Sequence, residues 1–112
     1  MEPHSSLPAN LIREVHEETG LTISVGAPCL VNEFHDPGGT FHQVDIYFRA
    51  TVVPGSPRPA DWTDPEGVVQ SRRWVTRDDF GALTVKPDGL AQVAWPDGPS
   101  APLYDPLEPI LR

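Results

Sequence analysis

One short stretch constrains this chain more than any other: Arg13-Glu14-Val15-His16-Glu17-Glu18-Thr19-Gly20-Leu21. It puts three carboxylates on two turns of one helix and then stops that helix with a glycine. Leu7, Leu11 and Val15 recur every four residues, the spacing of one helical face. Ser5 or Ser6 can cap the start, and Pro8 is tolerated in a first turn, where its missing N–H is no loss. Gly20 suits the left-handed position after the last turn, and Leu21 can pack back onto it. The pattern predicts a helix over residues 7–19. At about 100° per residue, Glu14 and Glu18 fall in the same arc as Leu7 and Leu11. An apolar stripe thus becomes a carboxylate stripe halfway along, with Glu17 alongside.

That arrangement is locally unfavourable. Glu14 and Glu18 form an i,i+4 like-charge pair, which costs roughly a few tenths of a kcal/mol. The acids also lie toward the C-terminal end, where the helix dipole disfavours negative charge. Arg13 can reach Glu17 at i+4 and offset part of this. A hard divalent cation would offset more, since Mg²⁺ is held by carboxylates together with substrate phosphates. The plain alternative is a solvated acidic face.

Order and spacing favour the cation. Arg-Glu-Val-x-Glu-Glu-x-Gly-Leu resembles the second half of the Nudix box, whose full form is Gly, five residues, Glu, seven residues, then Arg-Glu-apolar-x-Glu-Glu-x-Gly-apolar. Arg13, Glu14, Val15, Glu17, Glu18, Gly20 and Leu21 all stand at specified positions. Upstream, Glu2-Pro3-His4-Ser5-Ser6-Leu7 is similar to the family's Glu-x-Gly-Glu-Ser-Leu run, with His4 and Ser5 in place of its glycine and glutamate. The first box glycine would fall before Met1.

The resemblance implies an α+β fold, the α/β/α sandwich of the Nudix family, with a mixed sheet and the box helix on one face. The expected layout is a Nudix-like domain over residues 1–95, incomplete at its N-terminus and without the usual N-terminal strands, then a proline-rich C-terminal tail over 96–112. A sheet without those strands has an unpaired edge, which invites a homodimer.

Composition bounds the partners. The chain has 112 residues, enough for one domain with a modest core. Its net charge is −8 and its pI about 4.7, so no nucleic-acid polymer is expected on a basic surface. A small phosphorylated metabolite or nucleotide remains compatible, because a bound cation reverses the local field. The single cysteine, Cys29, rules out an intrachain disulfide and a multi-cysteine zinc site, and reads as a strand core residue. No apolar run is long enough to span a membrane and no signal peptide is visible, so the expectation is a soluble, cytoplasmic protein with no membrane partner.

After the helix, residues 22–34 read as extended, with a bend at Gly26 to Pro28. Phe41 to Val52 is the strongest strand, Val44, Ile46 and Phe48 alternating against Asp45, Tyr47 and Arg49. Residues 29–35 and 41–52 should pair antiparallel across a Gly38-Gly39 turn. Residues 54–66 form a long proline-rich loop, and Val68 to Val75 another strand. A helical turn at Asp78 to Leu83 and a short helix over Pro87 to Ala94 follow, then an extended tail.

The resemblance implies hydrolysis of a diphosphate linkage in a nucleoside diphosphate derivative, by attack of water on phosphorus, with Mg²⁺ or Mn²⁺ as cofactor. Position for position, Glu14, Glu17 and Glu18 are the metal ligands, and Glu18 is the foremost of them. Arg13 orients a glutamate by ion pairing, and Gly20 ends the helix so that the following loop clears the metal. Ser5 removes one potential carboxylate ligand. The general base is Glu14 or, from the long loop, Glu66. Glu33 and Asp36 near the hairpin turn, and His35 and His42 flanking it, read first as surface groups. Phe34, Tyr47 and Trp62 could stack on a base but read first as core or loop packing, and Trp74 reads as core. His16-Glu17-Glu18-Thr19-Gly20 lacks the second histidine of a zinc protease, and Gly38-Gly39 lacks the lysine of a P-loop. The alternative reading is a catalytically impaired Nudix-like domain acting as a binding or regulatory module. A small acidic interaction domain would explain the composition but not the ordered glutamates.

Overall fold

The computed structural model describes residues 3–59, 62, 74–105 and 107–109. It contains one long helix, α1 (Leu7–Thr19), two long strands, β1 (Ile23–His35) and β2 (His42–Val52), two single-turn helices, α2 (Arg77–Phe80) and α3 (Leu90–Val93), and two short strands, β3 (Leu103–Tyr104) and β4 (Glu108–Pro109). The strand expected at Val68 to Val75 lies almost wholly outside the described residues. Helix plus mixed sheet makes the fold α+β. The described residues divide into two units, Met1–Gly26 with Ala50–Trp74, and Ala27–Arg49 with Val75–Arg112.

In the first unit, α1 runs over the span its cap residues predict. Its apolar stripe is less covered than the periodicity suggests. Leu7 is exposed, and the buried residue of the helix is Asn10, at 3%. Beyond the helix, Val53 N–H donates to Thr22 O at 2.9 Å and Thr22 N–H to Ser56 Oγ at 2.9 Å. These bonds tie the start of β1 to the end of β2. Trp74, expected in the core, is 68% exposed; its ring is covered instead by the Arg58 guanidinium, 5.2 Å from the centroid, a cation–π contact that needs no burial.

In the second unit, residues 36–41 turn β1 into β2. Asp36 N–H donates to Phe41 O at 3.0 Å, and Asp36 Oδ1 accepts from Gly38 N–H at 3.0 Å. A turn this short can only join antiparallel neighbours, as the Gly38-Gly39 signal predicts. The strand is not broken at Gly26 to Pro28; β1 continues through those residues. The far edge of β1 receives β3 and β4, both parallel to it, with Leu30 opposite Leu103 and Phe34 opposite Glu108. The core is Cys29, Leu30 and Val93, with Tyr47, Leu90 and Leu103 packed against it. Cys29 is a core residue as expected, and its thiol donates to Tyr47 O at 3.5 Å.

This packing fixes which side of β2 is inward, and it is not the aliphatic side. Tyr47 meets the core, while Val44 is 57% and Ile46 46% exposed. Alternation gives the period of a strand but not its sign. Burial and the negative charges of Asp45 and Glu108 push the Tyr47 hydroxyl above the usual tyrosine range.

Segment 103–109 is fastened by carboxylates as well as by strand pairing. Asp105 Oδ2 accepts from Gly89 N–H at 2.6 Å, and Glu108 Oε1 from Asp88 N–H at 3.1 Å. Lys86 Nζ lies 2.6 Å from Asp88 and 3.4 Å from Glu108, and its bond to Asp88 raises the ammonium above the usual lysine range. On β1 itself, Asn32 is fully buried and neither end of its carboxamide finds a hydrogen bond among the described residues.

Candidate metal and active site

The helix that carries the glutamates is held at both ends by local chemistry. Ser6 is extended, and its hydroxyl accepts from Ala9 N–H at 3.2 Å. Pro8 sits in the first turn, where no N–H is required. At the other end Gly20 has φ 76°, and its N–H donates to His16 O at 2.8 Å. Thr19 closes the last turn with its hydroxyl, donating to Val15 O at 2.6 Å and accepting from Leu21 N–H at 3.2 Å. Before the cap, His4 takes φ 68°, the left-handed region that glycine favours. This is where the resembling run has glycine, so the backbone keeps the turn although the residue has changed.

Between these ends runs a line of polar contacts. Asn10 Nδ2 donates to Ser5 O at 3.2 Å and to Ser6 O at 3.0 Å. Its Oδ1 accepts from Arg13 at 3.0 Å. Arg13 in turn donates to both oxygens of Glu17, at 3.2 and 3.3 Å, and stands 3.7 Å from Glu14. The i+4 pair read from the sequence is therefore present, and a buried asparagine aims it. Glu14, Glu17 and Glu18 are half-buried and share a helix face through their i, i+3 and i+4 spacing.

The donor set suits a hard divalent cation in kind, since three carboxylates offer oxygen ligands of the type Mg²⁺ and Mn²⁺ prefer. Among the described residues, no three His, Cys, Asp or Glu side chains stand together as a ready group for an ion. Arg13 occupies Glu17 and borders Glu14, so a cation would compete with it for these oxygens. Ser5 is exposed and offers its carbonyl to Asn10. Glu66 lies outside the described residues.

The loop that follows β2 returns to this helix. Trp62 Nε1 donates to Glu17 O at 2.8 Å, and its ring meets His16 edge to face at 5.7 Å. A Cβ on Gly20 would lie 2.7 Å from Pro59 and 2.8 Å from Trp62. Gly20 is therefore required twice, by its backbone angle and by this approach. Asn10 does not stand out in sequence, and Trp62 stands out there only as a ring for a base or for loop packing, not as a partner of this helix. For Asn10 a signal existed: it is three residues before Arg13 and four after Ser6, within reach of both on a helix.

The remaining candidates belong to the second unit. Glu33 accepts from the Tyr104 hydroxyl and lies 2.9 Å from His42 Nε2. Tyr104 first, then His42, hold the Glu33 carboxyl below the usual glutamate range; the same contact raises the Tyr104 hydroxyl. His35 and His42 stand 6.4 Å apart, ring to ring. Asp36 shapes the hairpin turn, Phe34 pairs with Glu108, and Tyr47 packs on the core.

Among the described residues no helix is long and apolar enough to cross a membrane. No curated protein and no solved structure matches the chain. The family model of the NUDIX domain matches residues 1–95. That match takes in all of α1, its two caps and the three glutamates, and it spans far more than half of the sequence: the chain belongs to the Nudix family.

Proposed function

We propose that this protein hydrolyses a diphosphate linkage in a nucleoside diphosphate derivative, in the cytoplasm, with Mg²⁺ or Mn²⁺. The observation that carries the reading is the order Arg13, Glu14, Glu17, Glu18, Gly20 realised as one helix with a left-handed glycine stop. Glu14, Glu17 and Glu18 hold the cation. Arg13 orients Glu17 and limits the repulsion among the three acids. Water attacks one phosphorus, the bond from that phosphorus to the bridging oxygen breaks, and two phosphorylated products leave. The proton of the water passes to Glu14 or to Glu66. The cation, when bound, neutralises phosphate oxygens and acidifies the water.

Two observations favour a second reading, a family member that binds its ligand but turns it over poorly. Arg13 already engages Glu17, and Ser5 replaces a fourth carboxylate. One experiment separates the two: hydrolysis of a panel of nucleoside diphosphate derivatives with Mg²⁺ or Mn²⁺, wild type beside Glu18→Gln, together with Mn²⁺ binding. Turnover lost in Glu18→Gln supports the enzyme. Mn²⁺ binding without turnover supports the binding module. Two inert proteins that bind no Mn²⁺ would remove both.

A further inference from the structure

Trp62 sits in the proline-rich loop, and the reaction as written gives it no part. Its contacts nevertheless converge on the turn of α1 that carries Glu17 and Glu18. The last carbonyls of a helix have no partner within it. His16 O is satisfied by Gly20 N–H. Glu17 O would ordinarily take Leu21 N–H, but that group is turned to Thr19 Oγ1. The indole N–H of Trp62 takes its place, at 2.8 Å. The ring lies edge to face with His16, and with Pro59 it fills the space over Gly20 that any Cβ would need. The main chain is thus clamped from His16 to Gly20, on both sides of the two glutamates.

We infer that Trp62 is a positioning residue for the cation site: its indole N–H fixes the peptide of Glu17, and so sets where the Glu17 and Glu18 carboxylates can reach. This rests on the reading that those glutamates hold Mg²⁺ or Mn²⁺. The physical reason is preorganisation. The glutamates repel one another, and Glu17 is also drawn by Arg13, so the helix end must be rigid to offer them together. Residues behind metal ligands commonly change metal affinity about 10-fold or more when altered. Only a glycine at position 20 admits the clamp, which gives the box glycine of this chain a role beyond ending the helix.

The test is Mn²⁺ binding to the whole protein, with the metal alone, followed by electron paramagnetic resonance and normalised to the folded fraction. Trp62→Phe keeps the ring and removes the N–H; Trp62→Ala removes both. Trp74→Phe, altering an exposed ring that contacts Arg58, is the control and binds as wild type does. The expected result is a dissociation constant about 3-fold weaker in Trp62→Phe and about 10-fold weaker in Trp62→Ala. A purely structural tryptophan would lower the unfolding midpoint and leave the dissociation constant of the folded protein unchanged. If wild type binds Mn²⁺ and both variants bind equally well, the inference is overturned and the proposed function stands. If wild type binds no Mn²⁺, the inference is overturned, and the turnover assay of wild type beside Glu18→Gln decides whether the proposed function falls with it. Should Trp62→Ala not fold, Trp62→Phe decides.

Discussion

Asn10, only 3% exposed, accepts a hydrogen bond from Arg13 through its Oδ1 at 3.0 Å. The same amide gives its two protons to the carbonyls of Ser5 and Ser6, so one buried group joins the N-terminal turn to the arginine that serves Glu17. Asn10→Ala leaves these partners without it. We expect a loss of about 1–3 kcal/mol in denaturant unfolding, and a smaller loss for Arg13→Ala, whose pair with Glu17 is half in solvent. Equal stability of Asn10→Ala and wild type would contradict this account of the helix.

Gly20 and Gly55 form an internal comparison. Both have positive φ, 76° and 83°, but a Cβ at Gly20 collides with Pro59 and Trp62, whereas at Gly55 nothing among the described residues lies within 4 Å. Gly55→Ala should cost only the backbone strain, about 1–2 kcal/mol. Gly20→Ala should cost clearly more, since the loop must also retreat. Thermal unfolding of the two variants side by side reads the difference, and similar losses would mean that the loop does not press on the helix end.

His4 is a non-glycine residue held at φ 68°. His4→Gly removes that strain and should stabilise the protein by about 0.5–1 kcal/mol, despite the greater freedom glycine gives the unfolded chain. A stability gain in urea unfolding is the expected result; a loss would mean that the imidazole holds the turn by contacts of its own.

The bond between Glu33 and Tyr104 predicts a pH dependence of definite sign. The folded state lowers the Glu33 carboxyl, so its contribution is present above the ordinary glutamate value, about 4.3, and is lost as pH falls through the lower, folded value. The Tyr104 hydroxyl is raised, so its contribution is present below about 10 and is lost as pH rises beyond that. Protection of the Asp105 amide, which donates to Val31 O at 2.8 Å beside this contact, should fall at both extremes once the intrinsic exchange rate at each pH is divided out. In Tyr104→Phe the acid limb should shrink and the alkaline limb vanish.

Asn32 carries a buried carboxamide with no hydrogen bond at either end among the described residues. Replacing it with leucine, of similar size, removes an uncompensated desolvation of about 1–3 kcal/mol. The variant should unfold at a higher denaturant concentration than wild type.

These features were unequally legible in sequence. The span of α1 was, because its limits are set by Ser6, Pro8 and Gly20 acting locally. The turn between β1 and β2 was, because Gly38-Gly39 interrupts two extended runs. The inward side of β2 was not: Val44 and Ile46 outrank Tyr47 in aliphatic character, and only contact with Leu30 and Val93 decides which side is covered. β3 and β4 were not, since two residues have no period. At the site, Glu14, Glu17 and Glu18 announced themselves by spacing. Trp62 is legible as an aromatic for stacking or packing, but its bond to the helix is not, because the partner is a main-chain carbonyl far away in sequence, and a carbonyl has no residue identity to read.

The parallel seating of β3 and β4 on β1 also sets an order of events. The Tyr104–Glu33 contact spans 71 positions, whereas α1 and the hairpin close over short distances. Contacts between distant residues form late, because the loop must be closed before they can contribute. During synthesis, β1 and β2 leave the ribosome and pair long before residues 103–109 exist. Until those residues arrive, β1 has one side open to any strand-like chain nearby. The nascent protein therefore passes through an interval of self-association risk, and the acidic character of the whole chain, with its net charge of −8, keeps neighbouring copies apart while it lasts.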